Sequence, residues 1–224
     1  MPRLRIRPET WDLTYEIAIS PSGFRLLDTP GKLCDVLLER LAAYGAASEN
    51  FRLEDGDPGE RALIIELDNS SVTVKVRGDR TEIHFNDCTL NEPPAKDFPL
   101  QIWQALEAAL AGVQATSHTI QVEMEAKIED GSYQEFLNRF APKPDGLPLG
   151  TETAVVFYLP PDPKSGGKES SLVLNRTGDN DVPLQVSATL VYRKLDPVNA
   201  IEAAWDRLGG LLGALGIGMI EAQS

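Results

Sequence analysis

The chain has 224 residues, 42% of them hydrophobic and 25% charged, enough to bury a substantial core in one large domain or two small, joined ones. Its 34 Asp and Glu against 21 Lys and Arg leave a formal net charge of −13. Such a surface repels phosphate backbones and anionic lipid, and no Lys/Arg-rich run offsets it, so neither a nucleic acid nor a membrane is an expected partner.

The first alternating segment is Leu13–Ile19, with Leu13, Tyr15, Ile17 and Ile19 on one face, a half-buried strand. Turn residues Pro21, Ser22 and Gly23 follow. Thr29-Pro30 offers an N-cap and a first helical position to a helix whose stripe is Leu33, Leu37, Leu41 and Tyr44. Short alternating runs then come in series: Phe51–Leu53, Leu63–Leu67, Val72–Val76 and Ile83–Phe85, divided by Asp/Gly turns. These predict a meander of antiparallel hairpins with one wet face. A helix is expected from Asp97 to Val113, with Ile102, Leu106, Leu110 and Val113 on one side.

The order then begins again. Ile120, Val122, Met124, Ala126 and Ile128 alternate with polar residues in the cleanest strand pattern of the chain. Ser132 and Glu135 read as a capping box for a short helix through Phe140. The Pro/Gly-rich run 142–150 reads as a loop, and 160–170 as a hairpin tip beyond a strand at Ala154–Leu159. Strands at Leu172–Asn175 and Leu184–Tyr192 are divided by a turn at 178–181. Asp196-Pro197 starts a last helix with the stripe Val198, Ile201, Trp205, Leu208, Leu212 and Leu215, followed by an apolar tail.

Two halves, 1–114 and 115–224, thus each read as a β-α-β-β-β-α unit. The expected fold is α+β, a tandem duplication in which one continuous antiparallel curved sheet is covered on one face by helices. This order of elements resembles the duplicated saddle of the TATA-binding protein and, equally, helix-grip proteins, in which a long C-terminal helix lies across a curved sheet. Neither family's sequence motifs are present, so no functional residue carries over from the resemblance. A saddle that grips DNA also needs basic residues and apolar wedges on its open face. Here that face carries Thr14, Glu16, Thr73, Lys75, Glu82, His84, Gln121, Glu123, Glu125, Lys127, Gln185, Ser187 and Thr189, mixed and partly acidic.

Candidate chemistry is sparse. His84 and Cys88 have the even spacing that puts two strand residues on one face, but a surface histidine beside an incidental cysteine is the simpler reading. Cys34 falls in an apolar helical pattern and is expected to be a buried free thiol. The acidic loops at 54–60 and 178–181 do not fit a twelve-residue calcium loop and read as turns. Glycines 209–218 follow a helix rather than a strand and lack the Lys-Ser/Thr of a phosphate loop. Trp11, Trp103 and Trp205 read as core. No catalytic residue, metal or cofactor is assigned, and the cytoplasm is the default compartment, since no signal-peptide core or membrane-length apolar run occurs.

Two functions follow. The first is a non-enzymatic interaction protein that uses the open sheet face or the cleft between the halves, through Glu16, His84, Glu123, Glu125 and Gln185, or a free strand edge, to hold another protein or a second copy. The second is a small-molecule binder or weak lyase- or cyclase-like protein with an apolar cavity beneath the long helix, to which Tyr15, Glu16, Glu123 or Tyr192 lends polar groups.

Overall fold

A computed structural model describes residues 4–57, 59–68, 71–89, 97–140, 153–160, 170–176, 183–193, 195 and 197–220. The loops expected at 142–150 and 178–181, most of the hairpin tip at 160–170 and the Asp196 cap lie outside these residues. Among the described residues the fold is mixed α and β, a large antiparallel sheet with four α-helices.

Ten strands occur in chain order: β1 (Leu4–Ser20), β2 (Phe51–Glu54), β3 (Ala62–Leu67), β4 (Val72–Val76), β5 (Arg80–Thr89), β6 (Gln114–Asp130), β7 (Thr153–Leu159), β8 (Ser170–Arg176), β9 (Leu184–Tyr192) and β10 (Ile217–Met219). The helices are α1 (Gly31–Leu41), α2 (Asp97–Ala109), α3 (Tyr133–Leu137) and α4 (Pro197–Ala214). Nine strands run in the order β2-β3-β4-β5-β1-β6-β9-β8-β7, and β10 adds to β1 in parallel. The two 17-residue strands β1 and β6 lie side by side at the centre, paired antiparallel almost from end to end. On either side of them the chain enters at the sheet edge, at β2 or β7, and meanders inward to β5 beside β1 or to β9 beside β6.

Alternation explains this sheet. In β6 and β9 every second residue is buried and its neighbours are not, which a pleated strand covered on one face requires. The buried set includes Leu13, Tyr15 and Ile17 of β1, Val74 and Val76 of β4, Ile120 and Val122 of β6 and Val186 and Leu190 of β9. These side chains share one core with Leu33, Leu37 and Leu41 of α1, Phe98, Ile102 and Leu106 of α2, Tyr133 and Phe136 of α3, and Ala204, Leu208 and Leu212 of α4. Helices thus cover that face. Burying a large aliphatic side chain is worth roughly 1.5–3 kcal/mol, so each three-residue stripe secures its helix.

Several expectations need correction. The first run between helices holds four strands, β2 to β5, one for each of the four alternating runs, so the β-α-β-β-β-α formula counts one strand too few there; β2, at Phe51–Glu54, is a four-residue edge strand. β1 begins nine residues before the predicted Leu13, at Leu4. Its buried parity changes on the way, from Leu4, Ile6 and Pro8 to Trp11 and Leu13, because the register against β6 slips between Pro8 and Thr10. Proline cannot donate a ladder hydrogen bond and sits where pairing is already broken. α1 has Pro30 at its N-cap with no side-chain cap bond, so Thr29 does not cap it. Ser132 does cap α3, its hydroxyl accepting from the Glu135 N–H. The apolar tail after α4 turns at Gly216, which has φ of 80°, and returns as β10 beside β1. Cys34 is free but only half-buried against the core.

Candidate functional site

The face opposite the helices carries the polar residues of the alternation, and the strand register puts them in rows. One row runs Glu66, Thr73, His84, Thr14, Gln121, Thr189, Ser171. The next, towards the β1 N-terminus, includes Asp12, Glu123 and Ser187, and beyond it lie Thr10, Glu125 and Gln185. The five residues singled out from sequence all lie on this face, but they form two separate groups.

Glu16 and His84 belong to a charged network on β1, β5 and the turn between β4 and β5. Thr14 Oγ1 lies 3.1 Å from His84 Nδ1. His84 Nε2 lies 3.5 Å from Glu82 Oε2, while the other Glu82 oxygen accepts from Arg80 Nε at 3.0 Å and faces Arg77 Nε at 3.5 Å. Arg80 also reaches Glu16 at 3.7 Å and Asp79 at 3.1 Å. The His84 bond, with Arg80 and Arg77 behind it, pulls the Glu82 carboxyl down to about 2 from 4.5. Glu16 moves upward instead, because burial and the nearby Glu82 and Asp79 charges outweigh Arg80. Every charge here has an opposite partner. The Cys88 side chain, paired with His84 in the sequence reading, lies outside the described residues.

Glu123, Glu125 and Gln185 line something different. They border a pocket of about 240 Å³ together with Thr10, Trp11, Asp12, Asp87, Met124 and Ser187. Two bulges open it. On one side β5 inserts Asn86 and Asp87 opposite the step from Trp11 to Leu13, and on the other β1 inserts Glu9 against β6. A bulge bends its strand, so the pocket is a depression in the face where β1 and β6 stay paired between the two bulges. Asp87 takes the left-handed conformation, φ 52°, which Asp tolerates better than most residues, and its N–H donates to Asp12 Oδ1 at 2.7 Å. The floor is firm. Trp11 is buried and meets Trp205 of α4 edge-on, with ring centroids 5.4 Å apart.

The pocket therefore joins four carboxylates, Asp12, Asp87, Glu123 and Glu125, and no Lys, Arg or His is among its lining residues. Sequence reasoning missed Asp12, which precedes the predicted strand start at Leu13, and Asp87, which a β5 bulge with no signature in alternation brings in. Tyr15 and Tyr192 lie on the other, helix-covered face. Tyr15 Oη is 2.8 Å from His118 Nδ1 inside the core, and the Tyr192 hydroxyl donates to the Ala203 carbonyl. Among the described residues no group of three or more His, Cys, Asp and Glu is arranged to hold a metal ion, and no helix is long and apolar enough to cross a membrane.

No protein family and no curated protein matches the sequence. Among solved structures, Methanococcus jannaschii TBP aligns over 94% of this chain and 98% of its own, with 12% identity and a TM-score of 0.32. A superposition that loose carries no inference about this chain.

Proposed function

We propose that this chain is a non-enzymatic interaction protein that holds a protein partner on its open sheet face, in the pocket at the β1–β6 seam. The supporting observation is the charge of the lining: four carboxylates converge there with no cation among the lining residues, while elsewhere on the same face each acid is paired. Like charges gathered without counter-charge cost stability, and a partner bearing Lys or Arg relieves that cost. The partner's chemistry is thus a basic segment. A second copy is a poor occupant for this pocket, because each copy carries a formal charge of −13.

The same reading takes residues 1–114 and 115–224 as two copies of one unit. β1 and β6, the first strand of each, then form the seam, and the pocket becomes the cleft between the repeats. The alternative, a ligand under α4, draws less support. Ala200, Ile201, Ala204, Leu208 and Leu212 all belong to the closed core there, and the acid-lined pocket is on the opposite side of the sheet.

The test is a photo-crosslinking residue at the exposed Gln185 position, compared with one at Glu39 on the outer side of α1, in the native host. A discrete basic protein captured from position 185, lost on Glu123→Gln/Glu125→Gln and not captured from position 39, is the expected result. Equal capture from both positions, or none from 185, overturns the proposal.

A further inference from the structure

The sheet has two ends among the described residues, β2 and β7, and they are built oppositely. β2 has four residues, Phe51-Arg52-Leu53-Glu54, and its Arg52 pairs with Glu54 and Glu66. A short strand with charges on it discourages a second strand from adding. β7 has seven residues, Thr-Ala-Val-Val-Phe-Tyr-Leu, with no charge, no proline and no glycine. Val156 and Tyr158 are 46% and 78% exposed on its open-face side, and Phe140, packed edge-on against Phe157 at 5.2 Å, is 40% exposed beside its other face. Large exposed apolar groups thus gather at the end of the sheet that is uncharged.

We infer that β7 is a self-association edge, pairing antiparallel with β7 of a second copy to join two sheets across a two-fold axis at Val156. The strand is complementary to itself in that register. With Val156 opposite Val156, Ala154 of each copy faces Tyr158 of the other, small against large, and Val155 faces Phe157 on the helix-covered side. β-branched and aromatic cross-strand pairs of this kind stabilise antiparallel ladders. No like charges oppose one another along the strand, so the formal charge of −13 acts only at longer range, where salt screens it. Pairing of β7 with β2 of another copy instead would be head-to-tail, giving a ring or an open chain rather than a dimer of two identical edges, and the charged, four-residue β2 disfavours it. β8 separates this edge from β9, the strand that brings Gln185 and Ser187 to the acidic pocket, and no residue of β7 lines that pocket, so the edge stands independently of what occupies it.

Sedimentation equilibrium over a concentration series, at low and moderate salt, tests this with the full chain, V156K and V156C. The expected result is a monomer–dimer equilibrium that tightens with salt and is weakened at least tenfold by V156K, a change at an exposed site that leaves the thermal midpoint of the dilute, monomeric chain unaltered. V156C is expected to form a disulfide-linked dimer under mild oxidant, whereas the parent chain and an E39C control do not. A parent chain that stays monomeric at every concentration, self-association that V156K leaves intact, growth into open-ended oligomers, or failure of V156C to cross-link would each overturn the inference. A lysine-rich peptide that still binds V156K separates failure of this edge from failure of the pocket.

Discussion

The open sheet face contains two acidic regions that differ in how their charge is matched. Around Glu82, on β1, β5 and the turn between β4 and β5, carboxylates and guanidinium groups neutralise one another within the protein. At the β1–β6 seam Asp12, Asp87, Glu123 and Glu125 line a pocket without a cation among its lining residues. The first arrangement serves the fold: removing one member strands the others. The second leaves its charge for something outside the chain. A count of acidic residues on a strand face cannot separate these cases, whereas their register with Arg and Lys can.

The largest effect on stability is expected in the paired region. Glu82→Ala removes the acceptor shared by Arg77, Arg80 and His84 and is expected to cost about 2 kcal/mol in denaturant unfolding, typical of hydrogen bonds to charged groups. Acid should act through the same residue. The folded Glu82 carboxyl lies near 2, below its ordinary 4.5, so its contribution is complete above about pH 4.5 and is lost as the pH falls towards 2. Glu82→Gln is expected to flatten that part of the stability–pH curve. Glu16, displaced upward by burial, has the opposite sign: its ionisation opposes folding, and Glu16→Gln should be neutral or slightly stabilising at pH 7.

In the pocket the order reverses, with little effect on stability and a large one on binding. Glu123→Gln/Glu125→Gln is expected to shift stability by no more than about 0.5 kcal/mol, as exposed substitutions do. The same double change should weaken a lysine-rich peptide at least tenfold and reduce the salt dependence of its binding, read by fluorescence anisotropy. The smallest effect is expected at Asp87. Gly accepts a φ of 52° without strain, so Asp87→Gly should fold as well as the parent and lose only part of the peptide affinity.

Much of this framework was legible in the residues. Strict alternation marked β6 and β9, and Leu33, Leu37 and Leu41 marked α1, since each pattern follows directly from one covered face. The first nine residues of β1 were not legible, because a register slip at Pro8 switches the buried parity and hides the period. β10 was missed as well; three residues, one of them Gly218, carry no periodic signal. Of the pocket, Glu123, Glu125 and Gln185 were visible as polar positions on regular strands. Asp12 was not, because the predicted strand began at Leu13, and Asp87 was not, because it enters through a bulge. Nor does sequence tell that Glu16 is already engaged by Arg80, since that contact comes from pairing between β1 and β5, whereas His84 and Glu82 meet two residues apart on one face of β5.

Backbone amide chemical shifts, followed while a lysine-rich peptide is titrated into the labelled chain, test the central claim most directly. Saturable shifts confined to Thr10, Asp12, Asp87, Glu123, Glu125, Gln185 and Ser187, with Arg80, Glu82 and His84 unmoved, are the predicted result. Shifts centred on the Glu82 network, or none that saturate, would contradict it.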